Sequence, residues 1–114
     1  MAIDYKDINE QVRQIFLTDR LDIPGTTEIE MKFTVLSASN ARKVIVDLSK
    51  VTFLASIGIR AIIANAKALQ QRGGKMVLFV ADNNMVSKTL ITTGIDALVP
   101  MFEDIDSAMQ ALQE

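Results

Sequence analysis

Two short, almost unbroken apolar runs stand on either side of a stretch with helical spacing, and this arrangement constrains the fold more than any other feature. Lys43-Val44-Ile45-Val46-Asp47-Leu48 and Lys75-Met76-Val77-Leu78-Phe79-Val80 have the length and apolar character of strands buried on both faces. Between them, Ile59, Ile62, Ile63, Ala66 and Leu69 fall on one stripe at helical spacing, so Ile57 to Arg72 reads as a helix. Gly73-Gly74 ends it, because glycine takes the left-handed conformation of a helix C-terminus without penalty. A strand, a helix and a strand in this order join parallel neighbours by a right-handed crossover.

The flanking segments extend the same alternation. Val12 to Thr18 is rich in β-formers and reads as a strand, paired with a short one near Tyr5 to Asn9. Pro24-Gly25 reads as a turn. Thr27 followed by Glu30 resembles a capping box that opens a helix carrying Ile29, Phe33 and Leu36 on one face, closed by Ser39-Asn40. After the second apolar run, Asn84 is the expected cap of a helix through Thr93, stopped by Gly94 and sealed by Ile95. Val99 to Phe102 reads as a short strand. Asp104 to Glu114 reads as a terminal helix, with Ile105, Met109 and Leu112 on one face and acids in its first turn. The expected architecture is α/β: an N-terminal hairpin plus parallel strands in a mixed sheet, packed with about four helices.

Composition narrows the function. With 114 residues, 49% of them apolar, residues 1–114 are read as one domain that buries roughly two-thirds of its unfolded surface; two full cores would not fit. The net charge of −2 comes without any run of like charges, so neither a nucleic-acid footprint nor a polybasic membrane patch is present, and proteins are the expected partners. There is no cysteine and no histidine. That removes disulfides, zinc-thiolate sites and the commonest general base, and no cofactor motif is present, so no enzyme is expected. Met1 to Asp7 has acids and no apolar core, and charges interrupt every apolar run before the roughly 18 residues a membrane span needs, so the expected location is cytoplasmic.

Asp47-Leu48-Ser49-Lys50-Val51-Thr52-Phe53-Leu54-Ala55-Ser56-Ile57-Gly58-Ile59-Arg60 resembles the signature segment of the STAS family, found in anti-sigma factor antagonists and in the tails of sulphate transporters. Leu17-Thr18-Asp19-Arg20-Leu21-Asp22 is similar to the family's loop after its second strand, Gly73-Gly74-Lys75-Met76 to its glycine turn, and Leu90-Ile91-Thr92-Thr93-Gly94-Ile95 to its helix end. Two positions depart from the pattern. Ala55 stands where an acid usually precedes the serine, in the region that the cognate kinase engages, and Asp19 stands where the second-strand loop has glycine.

The resemblance implies an antagonist that binds an anti-sigma factor serine kinase while unphosphorylated, is released by phosphorylation on Ser56, and is reset by a metal-dependent serine phosphatase. It leaves open a STAS structural or scaffold subunit of a transporter or signalling assembly that is never phosphorylated. The residues allow two readings at each position. Ser56 is either a helix N-cap or a phosphoacceptor at a helix N-terminus, where an anion is favoured and Gly58 leaves the approach open. Ile57, Ala61, Ala64 and Ala68, flanked by Arg60 and Lys67, share a face opposite the core stripe; it is either covered by a neighbouring helix or turned outward as a docking surface. Asp22 belongs to that surface by resemblance, or caps the next helix as a turn acid. Asp47 lacks the companion acids a Mg²⁺ site would need, and Gly73-Gly74 lacks the ending of a phosphate loop. No cofactor and no metal are expected.

Overall fold

The computed structural model describes residues 2–38 and 43–113. β1 (Ile3–Asp7) runs antiparallel to β2 (Val12–Leu21). The hairpin strand lies two residues earlier than the sequence suggested, because Asn9 makes the turn: its Oδ1 accepts the N–H groups of Gln11 at 2.8 Å and Val12 at 2.9 Å. α1 spans Ile23–Ala38, β3 Lys43–Leu54, α2 Ser56–Gln71, β4 Lys75–Phe79, α3 Asn84–Thr93, β5 Met101–Phe102 and α4 Ile105–Gln113, with a 3₁₀ turn at Ile95–Ala97. From β2 onward all strand pairs are parallel, and the spatial order is β1-β2-β3-β4-β5.

That sequential order explains how the layers divide. Right-handed crossovers that always step in the same direction bring each connecting helix to the same face of the sheet. Val44, Val46, Leu48, Met76 and Leu78 accordingly meet Ile29 and Phe33 of α1, Ile62 and Leu69 of α2, and Val86 and Leu90 of α3 in one large core. The alternate residues Ile45 and Val77 face the other way and pack with Val12, Ala108 and Leu112, where α4 covers the sheet. The mixed sheet with four helices expected from the sequence is therefore observed, and so is the two-sided burial of its central runs.

Several boundaries move for physical reasons. α1 begins at Ile23, before Thr27, because Asp22 caps it: the Asp22 Oδ1 accepts the Gly25 N–H at 2.9 Å. Pro24 sits in the first turn, where a missing N–H costs nothing, so Pro24-Gly25 opens the helix instead of forming a separate turn. The Thr27 hydroxyl donates to the Ile23 carbonyl at 2.7 Å and caps nothing. The Ser39-Asn40 stop lies outside the described residues.

At the end of α2, Gly73 has φ 83°; its N–H donates to the Gln70 carbonyl and the Gly74 N–H to the Leu69 carbonyl, the paired bonds of a Schellman stop. The cap of α3 is Asn83, one residue before the expected Asn84. Its Oδ1 accepts from the Val86 N–H while its Nδ2 reaches the β3 carbonyls of Leu48, Ser49 and Val51 at 2.8–3.3 Å. One side chain thus starts a helix and fastens it to a strand more than thirty residues away.

Candidate partner-docking site

β2 and β3 are much longer than their apolar runs suggest, and their extra length builds the surface around Ser56. They stay paired as far as Leu21 and Leu54 through two irregularities in register. Asp19, beside the second irregularity, has φ 65°. A left-handed residue there accounts for a glycine at the matching position of the resembling family, and aspartate is among the side chains that tolerate the conformation.

Ala55 follows β3 directly. Its N–H donates to the Leu21 carbonyl at 3.1 Å, and its own carbonyl accepts the N–H groups of Gly58 and Ile59 at 3.0 and 3.2 Å. With φ −92° and ψ 169°, Ala55 is the N-cap of α2 and has no side chain to complete the cap. Ser56 is therefore the first helical residue, not the N-cap proposed as its structural reading. Its side chain is exposed, and no side-chain bond caps this terminus.

Gly58, expected to leave the approach to Ser56 open, is instead buried against the end of β2. A Cβ there would stand 3.0 Å from the Leu21 Cβ and 3.1 Å from the Leu21 carbonyl oxygen. The glycine lets α2 lie against the end of β2, and it does not serve to clear the approach to Ser56. The face of small residues also divides. Ala61, expected to turn outward, is 8% exposed, whereas Ala64, Arg60 and Lys67 are exposed and Ile57 and Ala68 half-buried. Ala61 shares the arc of Gly58 and of the buried Asn65, whose Nδ2 donates to the Ala61 carbonyl at 2.9 Å. That arc turns inward because α1 packs along α2, so the neighbouring-helix reading holds for Ala61.

Asp22 takes the capping role weighed for it and adds a second contact. Its Oδ2 accepts the Arg20 Nε–H at 3.0 Å, and the Arg20 guanidinium lies 4.4 Å from the centre of the Phe53 ring. The Gly25 N–H, and after it Arg20, holds the Asp22 carboxyl below the usual aspartate value. Arg20, Phe53 and the exposed Ile23 were not singled out by sequence reasoning. Arg20 and Phe53 become neighbours only through their register partnership across β2 and β3, although both lie within motifs that carry the family resemblance. Asp47 is buried and engaged, with Oδ1 accepting from the Ser49 N–H and hydroxyl and Oδ2 from the Gln14 Nε2. Among the described residues no cluster of acids could hold a metal ion, and no helix is long and apolar enough to cross a membrane.

The candidate site therefore comprises Ser56 with Ile57, Arg60 and Ala64 on α2, and the linked Arg20, Asp22 and Phe53 where β2 and β3 end, joined to the start of α2 by the Ala55–Leu21 bond. The family model for the STAS domain matches residues 5–108. The chain belongs to the STAS family.

Solved structures share its fold over nearly the full length of both chains. An anti-sigma-factor antagonist (STAS) domain protein from Planctomyces limnophilus is 25% identical, covers 98% of each chain and superposes with a TM-score of 0.81. An anti-sigma factor antagonist from Mycobacterium paratuberculosis is 19% identical, with 98% of this chain and 93% of that one covered and a TM-score of 0.82. The Bacillus cell fate determinant SpoIIAA in its phosphorylated form is 17% identical, with 96% and 98% covered and a TM-score of 0.69. No curated protein sequence gives a significant match.

Proposed function

We propose that this STAS domain is a partner-switching anti-sigma factor antagonist. Unphosphorylated, it binds an anti-sigma factor that is itself a serine kinase; phosphorylation of Ser56 releases it, and a metal-dependent serine phosphatase resets it, all within the cytoplasm. The observation that carries this reading is the position of Ser56, an exposed serine at the first residue of α2 on a surface of mixed apolar and charged side chains. A related fold has been solved in a phosphorylated form, which agrees with such a switch. The chain itself performs no catalysis in this scheme. The Ser56 oxygen attacks the γ-phosphorus of the kinase's ATP, its proton passes to a base on the kinase, and ADP leaves.

Phosphate at this position adds roughly −1.5 to −2 charges without entering the core. A hundredfold loss of affinity requires about 2.7 kcal/mol, within reach of a dianion forced into a partly apolar contact. The test is incubation with the cognate kinase and ATP, read by mass spectrometry. One phosphate on Ser56, absent from Ser56→Ala, is expected, together with loss of kinase binding by the modified protein. Undiminished modification of Ser56→Ala would overturn the assignment. Stable partner binding with no modification at all would favour the scaffold or transporter subunit.

A further inference from the structure

We propose that the outer face of α1 is a self-association surface on which a second copy of this chain packs its own α1, antiparallel, about a two-fold axis near Glu30 and Met31. The proposal is independent of the role given to Ser56. A helix lying on a sheet is ordinarily apolar on one stripe and polar on the other, and α1 is apolar on both. Ile29, Phe33 and Leu36 fill the core, while Ile23, Met31 and Val35 on the outside are 68%, 82% and 62% exposed.

At 100° per residue, Pro24, Thr27, Met31, Thr34, Val35 and Ala38 fall within an arc of about 100°. None of them is charged, so an uncharged strip runs the length of a 16-residue helix, about 24 Å. Thr27, Met31, Thr34 and Val35 of that strip, with Glu30 at its edge, line a shallow depression; Thr27, Glu30, Met31 and Thr34 form its four corners. Their spacing of i, i+3, i+4 and i+7 is that of the four-residue hole that receives a side-chain knob from a facing helix. Met31 is the most exposed large apolar side chain described, and in an antiparallel pair centred here Met31 of each copy enters the hole of the other.

Charge identifies the occupant as a second copy. A two-fold axis returns each flank of the strip to the same side, so Glu28 of one copy comes within about one residue's rise of Lys32 of the second copy, and Lys32 within the same distance of Glu28. Both residues are exposed, and neither has an ion pair among the described residues. On the opposite flank the two Glu30 side chains approach one another. This like-charge approach, and the small area of a single helix pair compared with a standard interface, make the dimer weak and dependent on concentration.

Sedimentation equilibrium of the whole chain from about 10 μM to about 1 mM, the range suited to a small interface, tests the proposal. A monomer–dimer equilibrium is expected. Met31→Glu should abolish it with an unchanged circular dichroism spectrum, since the side chain is exposed. Glu28→Lys and Lys32→Glu should each weaken association several-fold, and the double variant should restore it, while Glu30→Gln should strengthen it. A monomer at every concentration would overturn the proposal and leave the strip to a different protein. So would a dimer indifferent to Met31→Glu, or a double variant no tighter than the single ones.

Discussion

Ala55 takes the N-cap position that was one of the two readings weighed for Ser56. Because Ala55 occupies the N-cap with extended backbone angles and no acceptor on its side chain, the start of α2 lacks a bond that serine, aspartate or asparagine would supply. Ala55→Asp should therefore stabilise the domain by about 1 kcal/mol, whereas Ser56→Ala should change stability by less than about 0.5 kcal/mol. Urea unfolding of both variants checks this; a larger loss for Ser56→Ala would return the capping role to the serine. Asp22 supplies the contrasting case, an acid that does cap. Its carboxyl is held below the ordinary aspartate value first by the Gly25 N–H and then by Arg20. A folded-state pKa depressed in this way contributes stability above the unfolded value of about 3.9, and the contribution disappears as pH falls through the lower folded value. An NMR titration of the Asp22 carboxyl should give a midpoint below the ordinary value. Arg20→Ala should raise that midpoint only part of the way, and a full return would make the ion pair, not the cap, the main cause.

Among the elements, α2 was the most legible and also the source of the clearest correction. Ile59, Ile62 and Leu69 lie buried as their spacing required, and Gly73-Gly74 stops the helix as expected. Ala61 could not be placed in the same way, because an alanine beside the core stripe is inside or outside according to the helix that lies next to it. Here that helix is α1, and the consequence is measurable. Ala64→Glu should alter stability by no more than about 0.5 kcal/mol, whereas Ala61→Glu should cost at least about 3 kcal/mol, since it forces a carboxylate into a packed seam. Thermal unfolding distinguishes them, and equal tolerance would mean that the α1–α2 seam is loose. The strands show the complementary error. The apolar run of β3 ends at Leu48, yet the strand continues to Leu54, because backbone pairing with β2 does not require apolar side chains on both faces. The missed Arg20–Phe53 contact belongs to that extension.

Across the whole molecule, the alternation of strands and helices, their crossover connections and membership of the STAS family were legible along the chain. Short unbroken apolar runs, the 3.6-residue period of helices, and glycines such as Gly73 and Gly94 that stop helices are written in residues close together in sequence. The exposed serine at the head of α2 was found through the same local motif. What only the tertiary structure decided depends on residues far apart: the capping of α3 by an asparagine that also bonds β3, the burial of Ala61, the close contact of Gly58 with Leu21, and the grouping of Arg20 and Phe53 beside Asp22. Each follows from strand register or from which helix lies beside which. Those relations are set by packing the whole sheet and its layers together, where segments thirty or more residues apart come into contact and no local pattern records the meeting.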